Sequence, residues 1–174
     1  MKRLGIFTAL SMLLVAFTAT VALATVYTPT NDSFNSANAP ASSHLASGSP
    51  SCTVNADNSI NCSSYVLGGV GGTPAAVSLS ADYSATIDCT NKGGNLVESH
   101  TATFSATHSD SATPDRHGQL PVRAVSVSPF STQQVCPNPN WNPSIRGGVV
   151  TLNSFKYTLT FNGFSAPYIT IQGP

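Results

Sequence analysis

Val77-Ser78-Leu79-Ser80-Ala81-Asp82-Tyr83-Ser84-Ala85-Thr86-Ile87-Asp88-Cys89 alternates without a break. Val77, Leu79, Ala81, Tyr83, Ala85, Ile87 and Cys89 share one parity. Ser78, Ser80, Asp82, Ser84, Thr86 and Asp88 share the other. A period of two sends the first set to one face of an extended chain and the second to the opposite face. The stretch therefore reads as a half-buried antiparallel strand with a core side and a hydroxyl-rich solvent side.

The pattern repeats outward from there. Asn91-Lys92-Gly93-Gly94-Asn95 supplies turn residues, and Leu96 to Thr107 returns as the second arm of a hairpin. On that arm Ala102, Phe104 and Ala106 share a face, with His100 and His108 on the same parity. A further long strand covers 149–161, with Phe155, Tyr157, Leu159 and Phe161 on one side. Asn162-Gly163 turns it toward a last strand over 168–172. Weaker strands are expected at 52–55, 60–67 and 121–127, and Gly68 to Pro74 reads as a turn or bulge. No stretch carries a helical period. Residues 51–174 are thus expected to form an all-β, immunoglobulin-like antiparallel β-sandwich of about seven to nine strands.

Two segments precede it. Lys2 and Arg3, an apolar run from Leu4 to Val21, and Ala22-Leu23-Ala24 make residues 1–24 a secretory signal peptide cleaved after Ala24. Residues 25–50 are rich in Ser, Thr, Ala, Asn and Pro without apolar periodicity. They read as a flexible leader, with an added edge strand near Val26-Tyr27 as the lesser alternative. The C-terminal Ile169 to Pro174 offers no hydrophobic anchor, so the mature chain is expected to carry none.

Composition narrows the function. The 174 residues include 7 Lys+Arg, 7 Asp+Glu and 4 His, and only 8% are charged against 41% hydrophobic. A chain so poor in basic residues lacks the stripe that displaces counterions from a phosphate backbone, which excludes nucleic acid as a partner. Removing the signal takes Lys2 and Arg3 with it and leaves the mature chain slightly acidic.

Four Cys in an exported chain predict two disulfides. A hairpin centred on Asp57 sets Cys52 opposite Cys62 and Val54 opposite Ile60, all on one face. Cys89 and Cys136 then remain, and their bridge would tie distant strands across the sandwich, as in immunoglobulin-like domains. No C-x2-C pair exists to favour metal or thiol redox chemistry.

Chemistry-bearing clusters are few. His108, Asp110, Asp115 and His117 lie within ten residues, and imidazole with carboxylate suits a cation such as zinc. The plainer reading is a solvated loop of turn-forming residues. There is no H-E-x-x-H, no EF-hand spacing and no G-x-S-x-G. Asp82 and Asp88 sit about 20 Å apart along one strand, too far for a carboxylate dyad. Glu98 on the neighbouring strand is expected to approach Asp88 as a surface pair. Cys136-Pro137-Asn138-Pro139-Asn140-Trp141-Asn142-Pro143 holds the only Trp. Trp141 reads first as a structural plug over the bridge. Exposed instead, with Asn138 and Asn140 beside it, it would suit a sugar. Asn31-Asp32-Ser33 and Asn61-Cys62-Ser63 are glycosylation sequons.

Cys52-Thr53-Val54-Asn55-Ala56-Asp57, Ile60-Asn61-Cys62-Ser63-Ser64-Tyr65, Asp88 to Asn95 and Cys136 to Trp141 together resemble a group of small secreted bacterial proteins without assigned function. The resemblance covers 52–141 in patches. It implies export and the disulfides, and it carries over no catalytic or ligand residue.

The sequence thus predicts a secreted, non-enzymatic module with a structural or protein-binding role and no cofactor. Its contact surface would be a β-edge or the 108–117 and 137–143 loops, and its partner an extracellular protein. A carbohydrate-binding module using Trp141, with a glycan as partner, is the first alternative. A small hydrolase or metal protein using His108 to His117 is the second.

Overall fold

A computed structural model describes residues 24–30, 34–129 and 135–174. The predicted signal peptide up to Leu23 and the sequon at Asn31 lie outside the described residues. Among those described, the chain forms eleven strands and a single 3-10 turn, with every strand pairing antiparallel.

The strands are β1 (Thr25–Tyr27), β2 (His44–Gly48), β3 (Cys52–Val54), β4 (Ile60–Cys62), β5 (Tyr65–Gly68) and β6 (Ala75–Thr90). They continue with β7 (Leu96–Ala112), β8 (Leu120–Val122), β9 (Val125–Val127), β10 (Asn142–Phe161) and β11 (Ile169–Gly173). One long sheet has the order β11-β10-β6-β7, and two short sheets have the orders β1-β3-β4-β9 and β2-β5-β8.

The alternation of 77–89 survives intact in β6, where Val77, Leu79, Ala81, Tyr83, Ile87 and Cys89 are all buried. Their face of the long sheet packs on both short sheets. Three hydrogen bonds stitch the layers. The Tyr65 and Tyr157 hydroxyls share one at 2.8 Å. The Tyr83 hydroxyl donates to the Asn58 carbonyl at 3.1 Å, and the Asn58 amide donates to the Val150 carbonyl at 2.7 Å. Asn58 sits at φ 61 at the tip of the β3–β4 hairpin, a left-handed conformation that Asn tolerates better than most side chains.

Several expectations change. Residues 25–50 are not a flexible leader throughout. Thr25–Tyr27 pairs with β3 and His44–Gly48 pairs with β5. Tyr27 packs edge-on against Phe155, Phe34 against Tyr168, and Ala39 is buried. A few apolar anchors and backbone pairing hold the segment, while β2 itself buries no side chain. The strand at 60–67 divides at Ser63-Ser64, and the one at 121–127 divides at Arg123-Ala124. At each break the chain steps from one short sheet to the other.

The long strands also run further than their apolar periods. β7 continues through His108 to Ala112, so that stretch is strand and not loop. β10 begins at Asn142 and includes Pro143. β11 pairs only with Phe155 to Leu159, which leaves the outer side of 142–154 without a partner strand among the described residues. A missing N–H there costs no ladder bond. Between Ile145 and Val150 the register slips, and Arg146-Gly147-Gly148-Val149 bulge out opposite Thr86. Gly147 and Gly148, at φ 62 and 68, supply the left-handed residues that the bulge needs.

Both expected disulfides form, Cys52–Cys62 and Cys89–Cys136. The first sits in the β3–β4 register as expected, with Val54 opposite Ile60. The second does not tie distant strands across layers. Cys136 precedes β10, and Cys89 already pairs with Pro143 of β10. The bridge therefore fastens the loop before β10 onto the neighbouring strand.

Candidate functional site

The proposed metal ligands do not assemble. His108 and Asp110 lie on β7, while Asp115 lies in the turn beyond it. The Asp115 carboxylate accepts the backbone N–H of His117 at 2.8 Å and of Gln119 at 2.9 Å. These bonds, that from Gln119 first, hold its carboxyl below the usual range. Asp110 accepts the N–H of Ser111, and His117 accepts a hydrogen bond from Arg116. Among the described residues no group of three or more His, Cys, Asp or Glu converges as a metal site.

Trp141 is half-buried and packs against the core. It is neither a sealed plug nor a free platform. The Asn138 side-chain oxygen accepts the Asn140 N–H at 2.9 Å, and its carbonyl accepts the Trp141 N–H at 3.0 Å. Asn138 thus shapes the turn that presents Trp141. Asn140 is exposed beside it.

Glu98 does not approach Asp88. The register sets Glu98 opposite Cys89 and Ser99 opposite Asp88, so the two carboxylates point to opposite faces. Asp88 is held by Arg146 at 2.7 Å and by the Ser99 hydroxyl, also at 2.7 Å. The Arg146 bonds come first in lowering the Asp88 carboxyl and in raising the guanidinium. Sequence reasoning missed this pair. The signal was Arg146-Gly147-Gly148, since a Gly pair inside a strand pattern marks a bulge that re-aims its neighbour.

The outward face of the long sheet is paved with hydroxyls. Thr103, Ser84 and Thr151 form one row across the strands, and Ser105, Asp82 and Ser154 form the next. Asp82 accepts hydrogen bonds from Ser105 at 2.6 Å and Ser154 at 3.3 Å. These groups satisfy one another locally.

The strand edges differ sharply. β1, β8 and β9 have three residues each, and β2 and β11 have five. The free side of β10 carries Pro143 and the double-glycine bulge. Each feature obstructs the addition of another strand. β7 has 17 residues and no Pro or Lys, and it pairs with β6 in unbroken register from Glu98 to Ala112. Among the described residues its other side has no partner strand. A groove of about 290 Å3 runs beneath that side, lined by Ala106, Thr107 and His108 with Ser126 to Pro129.

No family model matches the chain, no curated protein matches it, and no solved structure matches it.

Proposed function

We propose that the chain is an exported, non-enzymatic binding module that engages a protein partner along the open edge of β7. The observation that carries this reading is the contrast among edges. An unpaired strand presents a row of N–H and C=O groups to any chain that comes alongside. Among the described residues only β7 combines a length of 17 residues, an unbroken register from Glu98 to Ala112 and freedom from Pro and Lys, its one register slip lying at its Leu96 end. The two disulfides fit an oxidising compartment, and residues 1–24 have the pattern of an export signal. No helix among the described residues is long and apolar enough to cross a membrane. The packing of one long sheet on two short ones supports a sandwich. It is immunoglobulin-like in that layering, without the inter-sheet disulfide of such domains.

The carbohydrate reading keeps one observation in its favour, the half-exposed Trp141 beside Asn140. A soluble polysaccharide that shifts Trp141 emission and protects it from quencher would support that reading.

The edge reading is tested by photo-cross-linking of the secreted chain in its own culture fluid. A probe is attached at Thr107→Cys on β7 or at Asn140→Cys beside Trp141. We expect a protein cross-link from position 107 and none from 140. The reverse pattern would move the contact to the Trp141 loop and overturn the reading.

A further inference from the structure

We infer that the occupant of the β7 edge is a second copy of this chain, paired antiparallel about a two-fold axis at Ser105. The inference rests on the edge reading above. A two-fold contact is self-complementary, so each residue meets a counterpart fixed by the axis. Three observations select Ser105.

The first is extent. The regular β6–β7 ladder runs from Glu98 to Ala112, and Ser105 is its midpoint. An axis there pairs the whole regular stretch with itself. An axis at Thr103 draws in Leu96, where the register slips.

The second is charge. With the axis at Ser105, His100 lies directly opposite the partner's Asp110, and the same pair recurs on the other side of the axis. Directly opposed side chains have Cβ atoms about 5 Å apart, close enough for such a pair to interact. His100 is short of a partner within its own chain. Its Nδ1 is shielded from solvent without a hydrogen bond, and the nearest carboxylate, Glu98, is 3.8 Å away. An axis at Phe104 sets Glu98 against the partner's Asp110, which repels. The acidic residues of this edge thus discriminate between registers.

The third is shape. Phe104 lies opposite the partner's Ala106, so a large side chain meets a small one twice. The partner's Phe104 arrives beside the groove between Ala106 and Val127. On the outward face Thr103 meets the partner's Thr107, and Thr101 meets the partner's Ser109. Such hydroxyl pairs stabilise antiparallel ladders. The product is one continuous eight-stranded sheet with its longest open edge closed.

Sedimentation of the mature chain is expected to give a dimer at micromolar concentration. Ser105→Lys, made together with Asp82→Asn because the Asp82 carboxylate beside Ser105 would neutralise the ammonium, sets two like charges against each other on the axis and should give a folded monomer, with folding checked by circular dichroism. Ser105→Cys should link into a covalent dimer on mild oxidation. Thr101→Cys should not, because each copy of it faces the partner's Ser109. His100→Asp alone should weaken the dimer tenfold or more, and His100→Asp with Asp110→His should restore it. A dimer untouched by Ser105→Lys, or one that Ser105→Cys does not link, overturns the proposal. If Ser105→Lys fails to fold, the cysteine pair and the charge swap decide. A monomer whose Thr107 probe still links to another protein overturns the second copy alone. A monomer whose Thr107 probe links to nothing overturns the edge reading with it.

Discussion

Tyr65 and Tyr157 place two phenols in the core between the layers, and each is the other's hydrogen-bond partner. Replacing one by Phe leaves a buried hydroxyl without a partner, which costs about 1–3 kcal/mol. Replacing both removes the polar pair altogether. We therefore expect Tyr65→Phe and Tyr157→Phe each to lower the urea midpoint, and the double variant to recover most of the loss. Additive losses in the double-mutant cycle would contradict the pairing. The same burial sets an alkaline limit. Desolvation pushes Tyr83 and Tyr157 up to about 12 and Tyr65 well above the usual phenol range. In the unfolded chain these phenols ionise near 10.0, so between pH 10 and 12 the folded state binds more protons. Stability is complete below about pH 10 and falls as pH rises through that window. The double Phe variant should unfold at a higher pH than the parent in an alkaline titration. Tyr83 and Tyr157 were legible as core from their parity, and Tyr65, in a short strand, was not. The partnership of Tyr65 and Tyr157 was not legible either, because it joins strands far apart in sequence. Asn58 was hidden for the same reason, since its bonds to Tyr83 and Val150 exist only once the layers meet.

At the scale of elements, β6 and the second half of β10 were readable because one face is buried along most of their length. β1 was readable only as the lesser alternative near Val26-Tyr27, and β2 not at all, since both are held by backbone bonds at sheet edges and impose no period on their side chains. The first half of β10 was hidden by Pro143 and Gly147-Gly148, which mark a loop in sequence and an unpaired, bulged strand in the fold. His108 to Asp110 looked like a polar loop because neither parity there is apolar, although the strand runs on to the buried Ala112. The disulfides give the direct test at this scale. Chain-entropy arguments assign about 3 kcal/mol to the Cys52–Cys62 loop and about 4 kcal/mol to the longer Cys89–Cys136 loop. Beyond stability the two bridges differ in what they hold. Cys89→Ala/Cys136→Ala frees the loop that presents Trp141, and its fluorescence should shift to the red. Cys52→Ala/Cys62→Ala should leave the emission of the folded protein unchanged. A red shift in both variants, or in neither, would contradict the local role of the Cys89–Cys136 bridge.

For the whole molecule, low charge and ample apolar content now have a structural counterpart. Alternate residues of the long sheet build the core, and Ser and Thr on the other face keep the surface neutral. The candidate site was legible only in part. A β-edge was among the expected contact surfaces, but which edge depends on strand order, bulges and lengths that appear only when the sheets assemble. His108, Asp110, Asp115 and His117 likewise form one cluster in sequence, whereas the fold sets the first two on a strand and Asp115 in a turn with its own hydrogen bonds. The most direct measurement is amide hydrogen exchange resolved along β7 over a dilution series. We expect the amides on its free side to exchange slowly in the concentrated chain and rapidly in the dilute chain, while those bonded to β6 stay protected throughout. Exchange along β7 that does not change with concentration, accompanied by new protection at Trp141 or at His117 on assembly, would contradict it.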